Sequence, residues 1–348
     1  MNKEIDLEKY QIRTDLIVES VSSSLDKIES KVFEKGDIKV TNIQVPNTLE
    51  KKIGKKAGHY TTIEFKDITD QDNYQKTLEV VVQELDKIVK KLNVKEDDLI
   101  MIIGLGNEHS TPDSLGPSTI HHVLVTNHLE LLGEMSNGFR PVIAFAPGVM
   151  AQTGIETSDF IQTLVTKERP SLVIVIDALA SQSIERVNRT IQMTDTGISP
   201  GSGVGNNRKE ISREIIGVPV LAIGVPTVVD AATIVSDTIE YMTKYFTYTK
   251  QQINNPSSKL VPSGSVNYLQ ENIIENKEDD IELLGKIGTL NDDEKKQFIY
   301  EILTPIGYNL MVTPKEVDFV IEKLSLLLAE ALNQVLHPAY YKNQKDSL

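Results

Sequence analysis

Two aspartates stand at the ends of apolar runs. Asp177 follows Leu172–Ile176 in "LVIVIDALA", and Asp113 lies in "GLGNEHSTPDSLGPS", the loop that leaves Leu99–Ile103. Carboxylates that converge on one water can supply both acid and base without a covalent nucleophile. Like charges held close raise one pKa, leaving one group ionised and the other protonated. Taken singly, each aspartate has a plainer role, because an Asp after a strand often caps the next helix by accepting from its free N–H groups. Glu108 and Asp159 read as capping or solvated residues on the same grounds.

Rival chemistries are poorly represented. The chain has no cysteine, which removes thiolate nucleophiles, disulfides and Cys-ligated zinc. "GLGNEH" has His109 where a dinucleotide fingerprint needs its third glycine, and "PGSGVGNNRK" (200–209) lacks the Lys-Ser/Thr ending of a phosphate loop. Ser202 has Pro200 in place of the first glycine of a nucleophile elbow. His109, His121, His122 and His128 cluster in sequence without an H-x-x-x-H pair, which suits a helix surface better than a metal site.

The elements that must position the two aspartates alternate. Strand runs are expected at Leu99–Gly106, Pro141–Gly148, Leu172–Ile176, Thr190–Asp195 and Val218–Pro226, with helices over Pro117–Gly133, Thr157–Pro170 and Val228–Phe246. Such alternation specifies right-handed crossovers and a mostly parallel sheet in a three-layer α/β/α core. Ligand sites then form outside the carboxyl ends of the strands, which is the edge that both Asp113 and Asp177 occupy.

Strands at Ile38–Val45 and Thr61–Phe65 predict an N-terminal β segment, and apolar residues at helical spacing from Leu78 to Leu92 predict an amphipathic helix. The acidic, polar stretch from about 247 to 286 reads as a mobile insertion. Beyond it come C-terminal helices at about 292–337. The last is expected to start from Thr313 as N-cap, with Pro314 at N1 and Glu316 completing a capping box.

At 348 residues and 40% apolar content, the chain can bury a sizeable core. The net charge of −14 argues against nucleic acid as a direct partner. No apolar run reaches membrane-spanning length and the N-terminus lacks a signal-peptide apolar region, so a cytoplasmic protein is expected.

Seven blocks carry a family resemblance: "GLGN", "TPDSLGP", "RPVIAFAPGVMAQTGIETSD", "VIVIDALA", "ERVNRTIQMTDTGISPGSGVGNNRKEIS", "GVPVLAIGVPTVVDAATI" and "LMVTPKEVD". Together they resemble the germination protease (spore protease) family of endospore-forming bacteria. The resemblance runs from the N-terminus to the C-terminal helix. It implies an α/β/α fold related to hydrogenase-maturation peptidases and a homotetrameric endopeptidase located in the forespore or spore core. Its substrates would be small acid-soluble spore proteins. The family is regarded as an atypical aspartic peptidase, and its two essential aspartates fall on Asp113 and Asp177.

The resemblance also implies a zymogen that removes its own N-terminal segment, cutting after an acid in a pattern like T-E-[apolar]-x-x-E. Thr14-Asp15-Leu16-Ile17-Val18-Glu19 fits with Asp for Glu, so the implied cut lies between Asp15 and Leu16. Residues 1–15 are then a propeptide and 16–348 the peptidase domain. Pro147, Gly148, Gly203 and Arg208 are expected along the substrate groove, with Arg208 or Lys209 receiving the substrate acid. No cofactor and no metal ligand are assigned. Two rivals stand beside the aspartate pair, a metal-dependent peptidase using the same carboxylates and a non-catalytic α/β module binding an anion at the glycine-rich loops. An inactive peptidase fold serving as a spore scaffold is a third, disfavoured by the presence of both aspartates and the Asp15-Leu16 site.

Overall fold

The apolar run that precedes Asp177 forms the middle of the sheet. Leu172–Ile176 are each 0% exposed, as a strand covered on both faces requires, and each such side chain contributes about 1.5–3 kcal/mol on burial. A computed structural model describes residues 14–21, 28–201, 209–253, 277–303 and 310–340. Its strands are β1 Glu29–Lys35, β2 Ile38–Val45, β3 Gly58–Glu64, β4 Ile100–Gly104, β5 Val142–Phe145, β6 Leu172–Ser181, β7 Thr190–Thr194, β8 Val220–Asp230 and β9 Met311–Val312. They form one sheet in the order β1-β2-β3-β7-β8-β6-β4-β5, with β9 pairing β8.

The α/β core expected from the alternation is present. β4 pairs in parallel with β5 and β6, and β1, β2, β3, β7 and β8 follow one another antiparallel. The described residues divide into two compact units, one within 14–228 and 313–340, the other within 229–312.

The larger unit contains Asp113 and Asp177. Its helices are α1 Ile17–Ser20, α2 Glu50–Ile53, α3 Gln71–Lys91, α4 Leu115–Ile120, α5 Asn127–Leu132, α6 Met150–Thr153, α7 Thr157–Glu168 and α8 Arg213–Ile216, with a C-terminal helix at Val317–Leu336. α3 starts where the Asp70 carboxylate accepts from the backbone N–H of Asn73. It buries Leu78, Val81, Leu85 and Val89, the stripe that a period of 3.6 places on one face.

Alternation along the strands sorts the two faces of the sheet. Leu172, Ile174 and Ile176 of β6, Ile191 and Met193 of β7 and Ile63 of β3 share one apolar cluster with α3, α4 and the C-terminal helix. Val173 and Val175 pack on the opposite face with Ile161 and Val165 of α7 and Ile216 of α8. Side chains alternate sides along a strand, so Asp177 of β6 and Gln192 of β7 both belong to that second face. There Tyr60, Ile43 and Val45 also meet Ile17 and Val21.

Two expectations in this unit are corrected. The helix expected over Pro117–Gly133 is two short helices, α4 and α5. Between them the buried Thr126 hydroxyl accepts from Val142 N at 3.0 Å and donates to the Arg140 carbonyl, so the chain turns to bind the start of β5. The C-terminal helix begins at Val317 rather than beside Thr313, because the Thr313 hydroxyl donates to the carbonyl of Thr227 at 2.9 Å instead of capping.

In the smaller unit, Val229 and Asp230 at the end of β8 pair with Val312 and Met311. The buried Asp230 carboxylate accepts from Ala232 N at 2.7 Å at the start of the helix Ala231–Ile253. Burial raises its pKa. The insertion expected at about 247–286 is helical at both ends, since this helix runs to Ile253 and another spans Lys277–Leu284. Lys250 explains it, lying 2.7 Å from both Asp279 and Glu282 and so offsetting the acids that composition read as disordering. The remainder of that segment, 254–276, lies outside the described residues. Among the described residues, no helix is long and apolar enough to cross a membrane.

Candidate active site

Asp177 is not the last residue of its strand. β6 continues four residues further to Ser181, and Asp177 is 6% exposed within it, with Ala178 N donating to its Oδ1 at 3.0 Å. The extension has a packing cause in β8. Leu179 lies against Gly224, where an added Cβ would come within 2.4 Å of it.

Asp113 reaches the same edge through a tightly closed loop. It ends a single helical turn, Thr111–Asp113, whose Pro112 carbonyl accepts from the Thr227 hydroxyl at 2.6 Å. The backbone N–H of Asn107 donates both to the Asp113 carbonyl, 3.0 Å, and to its carboxylate Oδ2, 2.9 Å. Gly106 makes this closure possible at φ +114, since a Cβ there would lie 2.0 Å from the Asp113 carbonyl oxygen. Gly116, the second residue of α4, lies against the strand ends, where a Cβ would meet Leu105 O at 2.2 Å and Ile176 O at 2.7 Å. Asp113 thus stands three residues before a glycine seated on the residue that precedes Asp177.

Against this edge lies the N-terminal segment. Asp15 N donates to Ala180 O at 3.1 Å, and Ala180 N donates back to the Asp15 carboxylate at 2.9 Å. Gln192 then bridges the following peptide units, its Nε2 donating to the Asp15 carbonyl at 3.0 Å and its Oε1 accepting from Ile17 N at 2.7 Å. Leu16 and Ile17 are each 0% exposed. After Leu16 the segment coils as α1, whose first residue Ile17 packs with Ile43, Val45 and Tyr60.

Both ends of the Thr14–Glu19 stretch are held by polar groups. The Thr14 hydroxyl accepts from Leu16 N at 3.0 Å and donates to Glu19, while the Thr14 carbonyl accepts from Lys55 Nζ at 2.7 Å. The Glu19 carboxylate accepts from the Ser181 hydroxyl at 2.7 Å, Gln182 N at 2.8 Å and Arg186 Nη1 at 3.3 Å. Burial lowers the pKa of Lys55, and the charges of Asp15 and Glu19 oppose that shift.

The expected groove residues distribute differently. Pro147 and Gly148 are half-buried in the loop after β5, with Gly148 at φ +72. That loop leads into α6, where Gln152 Nε2 donates to Asn107 Oδ1 at 2.7 Å and so ties it to the Asp113 loop. Gly203 and Arg208 lie outside the described residues. Lys209 pairs with Asp159 at 2.8 Å rather than with Asp15, and Asp15 is met by the Ala180 amide instead. Among the described residues, no three His, Asp or Glu side chains gather as a metal-binding group.

Lys55, Arg186 and Gln192 were not expected as site residues. They lie 41, 167 and 175 residues from their partners in the N-terminal segment, and no local pattern marks such a pairing. Gln192 alone leaves a signal, as the polar middle of "TIQMT" between two core residues.

The chain is 46% identical to a germination protease of a Geobacillus species, over 97% of its own length and 96% of the relative's. It is likewise 46% identical to that of Priestia megaterium, with 97% and 96% covered. Among solved structures, that of a nickel–iron hydrogenase maturation protease from Thermococcus kodakarensis covers 41% of this chain and 80% of its own, at 17% identity and a TM-score of 0.26. The relatives and the α/β sheet together define the class, an α/β protease. The germination protease profile matches residues 5–348, and the chain belongs to the germination protease family.

Proposed function

We propose that the protein is an endopeptidase made as a zymogen, which cuts itself between Asp15 and Leu16 and then opens small acid-soluble spore proteins during germination. The docking of Thr14–Glu19 carries this reading, because the residue expected before the cut hydrogen-bonds to Ala180, three residues beyond Asp177 on β6. Its carbonyl is also held from Gln192, on the sheet face to which Asp177 belongs. These contacts support reading the segment, which matches the substrate pattern of the family, as a bound substrate.

In this reading Asp113 and Asp177 share one proton. The ionised member takes a proton from water as its oxygen attacks the Asp15 carbonyl carbon, and the protonated member gives one to the leaving amine of Leu16. Products are a carboxyl at Asp15 and an amino group at Leu16. The pair is treated as a unit, without assigning acid and base to single residues. The family resemblance adds a homotetramer and a location in the forespore or spore core.

Mass spectrometry of the purified full-length chain during incubation tests the reading. Loss of the first 15 residues in the parent chain, with no loss in Asp113→Asn, supports it. A parent chain that stays intact, or an Asp113→Asn chain that processes at the parent's rate, refutes it.

A further inference from the structure

We infer that Gln192 is a catalytic residue of the cut, the group that holds the oxygen of the scissile carbonyl as it takes up negative charge. This rests on the reading that Asp15-Leu16 is the bond cleaved. One side-chain amide touches the backbone on both sides of that bond, Nε2 donating to Asp15 O at 3.0 Å and Oε1 accepting from Ile17 N at 2.7 Å. The orientation of the amide is fixed by its partners, because turning it over would set donor against donor at Ile17 and acceptor against acceptor at Asp15. Gln192 is 6% exposed on β7, and its neighbours Thr190 and Thr194 on the same face are 0% and 6% exposed. A donor so enclosed acts where water does not compete, and it is in place before the reaction begins.

In the step this implies, the water oxygen bonds to the Asp15 carbonyl carbon and the C=O π electrons move onto oxygen. The oxyanion accepts from Gln192 Nε2–H more strongly than the carbonyl did, and one water proton passes to the aspartate pair. The C–N bond then breaks, C=O re-forms and the proton goes to Leu16 N. Gln192 is neither oxidised nor protonated at any stage. Its Oε1 bond to Ile17 N does not change during the step and serves only to fix register.

Gln192→Glu separates the two halves of this amide. The carboxylate still accepts from Ile17 N but has no hydrogen for the carbonyl. Self-processing of the full-length chain at neutral pH is expected to slow by about a hundredfold to a thousandfold, the usual cost of one lost oxyanion donor. The ratio to the parent, measured at each pH, is expected to narrow as acid restores an O–H donor at that position. Should Gln192→Glu not fold, Gln192→Met in the processed chain gives the same test on a synthetic peptide of residues 8–25, where kcat falls with KM shifted by less. Processing at the parent's rate overturns the inference, as does a deficit whose ratio to the parent is the same at every pH, or a Met variant changed in KM alone. A parent chain that makes no cut at Asp15-Leu16 overturns instead the reading on which the inference rests.

Discussion

Arg186 holds Glu19 across 167 residues of sequence, Nη1 to Oε1 at 3.3 Å. The acid's side chain is only 4% exposed there, while that of Arg186 is 31% exposed. Hydrogen bonds to charged groups contribute about 1.5–3 kcal/mol each, so this contact selects for an acid four residues after the expected cut. A peptide of residues 8–25 with Gln at the Glu19 position should be cut with kcat/KM about tenfold to a hundredfold lower. Arg186→Ala should narrow that difference, without abolishing it, because Ser181 and Gln182 N still face the group.

Neutralising either aspartate should stop processing while leaving the fold intact. Asp113→Asn and Asp177→Asn are each expected to lower the first-order rate by about 10²–10⁴, the range for a lost general acid or base. Time-resolved intact mass measures the rate, and a thermal melt within a few degrees of the parent's shows that chemistry rather than folding was lost. Full activity in either variant would remove that residue from the pair.

Gly116→Ala tests how Asp113 is positioned. The new methyl would sit 2.2 Å from Leu105 O and 2.7 Å from Ile176 O, both backbone atoms that cannot swing aside. Overpacking of this kind costs about 1–3 kcal/mol, and the lift falls on the turn that ends at Asp113. The denaturant midpoint should fall and processing should slow more than the stability loss accounts for. Equal activity at reduced stability would show that α4 does not set the position of the aspartate.

His337 should give the fold a pH dependence unrelated to the site. It is 0% exposed, Nδ1 accepts from Arg140 N and Nε2 faces the Leu124 carbonyl, both at 3.2 Å, so the ring is neutral with its proton on Nε2. Burial lowers its pKa below the usual 6.5. The unfolded chain therefore binds the proton first, and stability is lost as pH falls below about 6.5 until the folded-state pKa is reached. Denaturant midpoints taken from pH 7.5 down to 5 should show this slope, and His337→Gln should flatten it. An unchanged slope in the variant would assign the dependence to other groups.

How far the site could be read from sequence depended on whether its parts were local. Asp113 lies in the loop that leaves β4 and Asp177 follows the apolar run Leu172–Ile176 within β6, so the alternation of elements was enough to propose one edge for both. The Thr14–Glu19 pattern was legible by its resemblance to a substrate. Gln192 was not, because a polar residue in the middle of a strand reads as an ordinary solvent-facing position until something is known to lie over it. Lys55 stands among other lysines in "EKKIGKKAGH" and Arg186 within "ERVNR", where nothing local marks either residue. Asp177 was taken for a strand terminus because "DALAS" lacks a β-branched run. Pairing with neighbours extended the strand where propensity would have ended it.

The burial of Leu16 and Ile17 has a kinetic consequence once the chain is cut on the proposed reading. The new terminus is the second half of the product, still joined to the protein and still seated by Ile17 among Ile43, Val45 and Tyr60. A segment tethered in this way presents itself at an effective concentration in the millimolar range. Every peptide arriving from solution must displace it. The activated protein thus carries a built-in competitor, and its affinity for a substrate in trans is the difference between two bound segments rather than the strength of one.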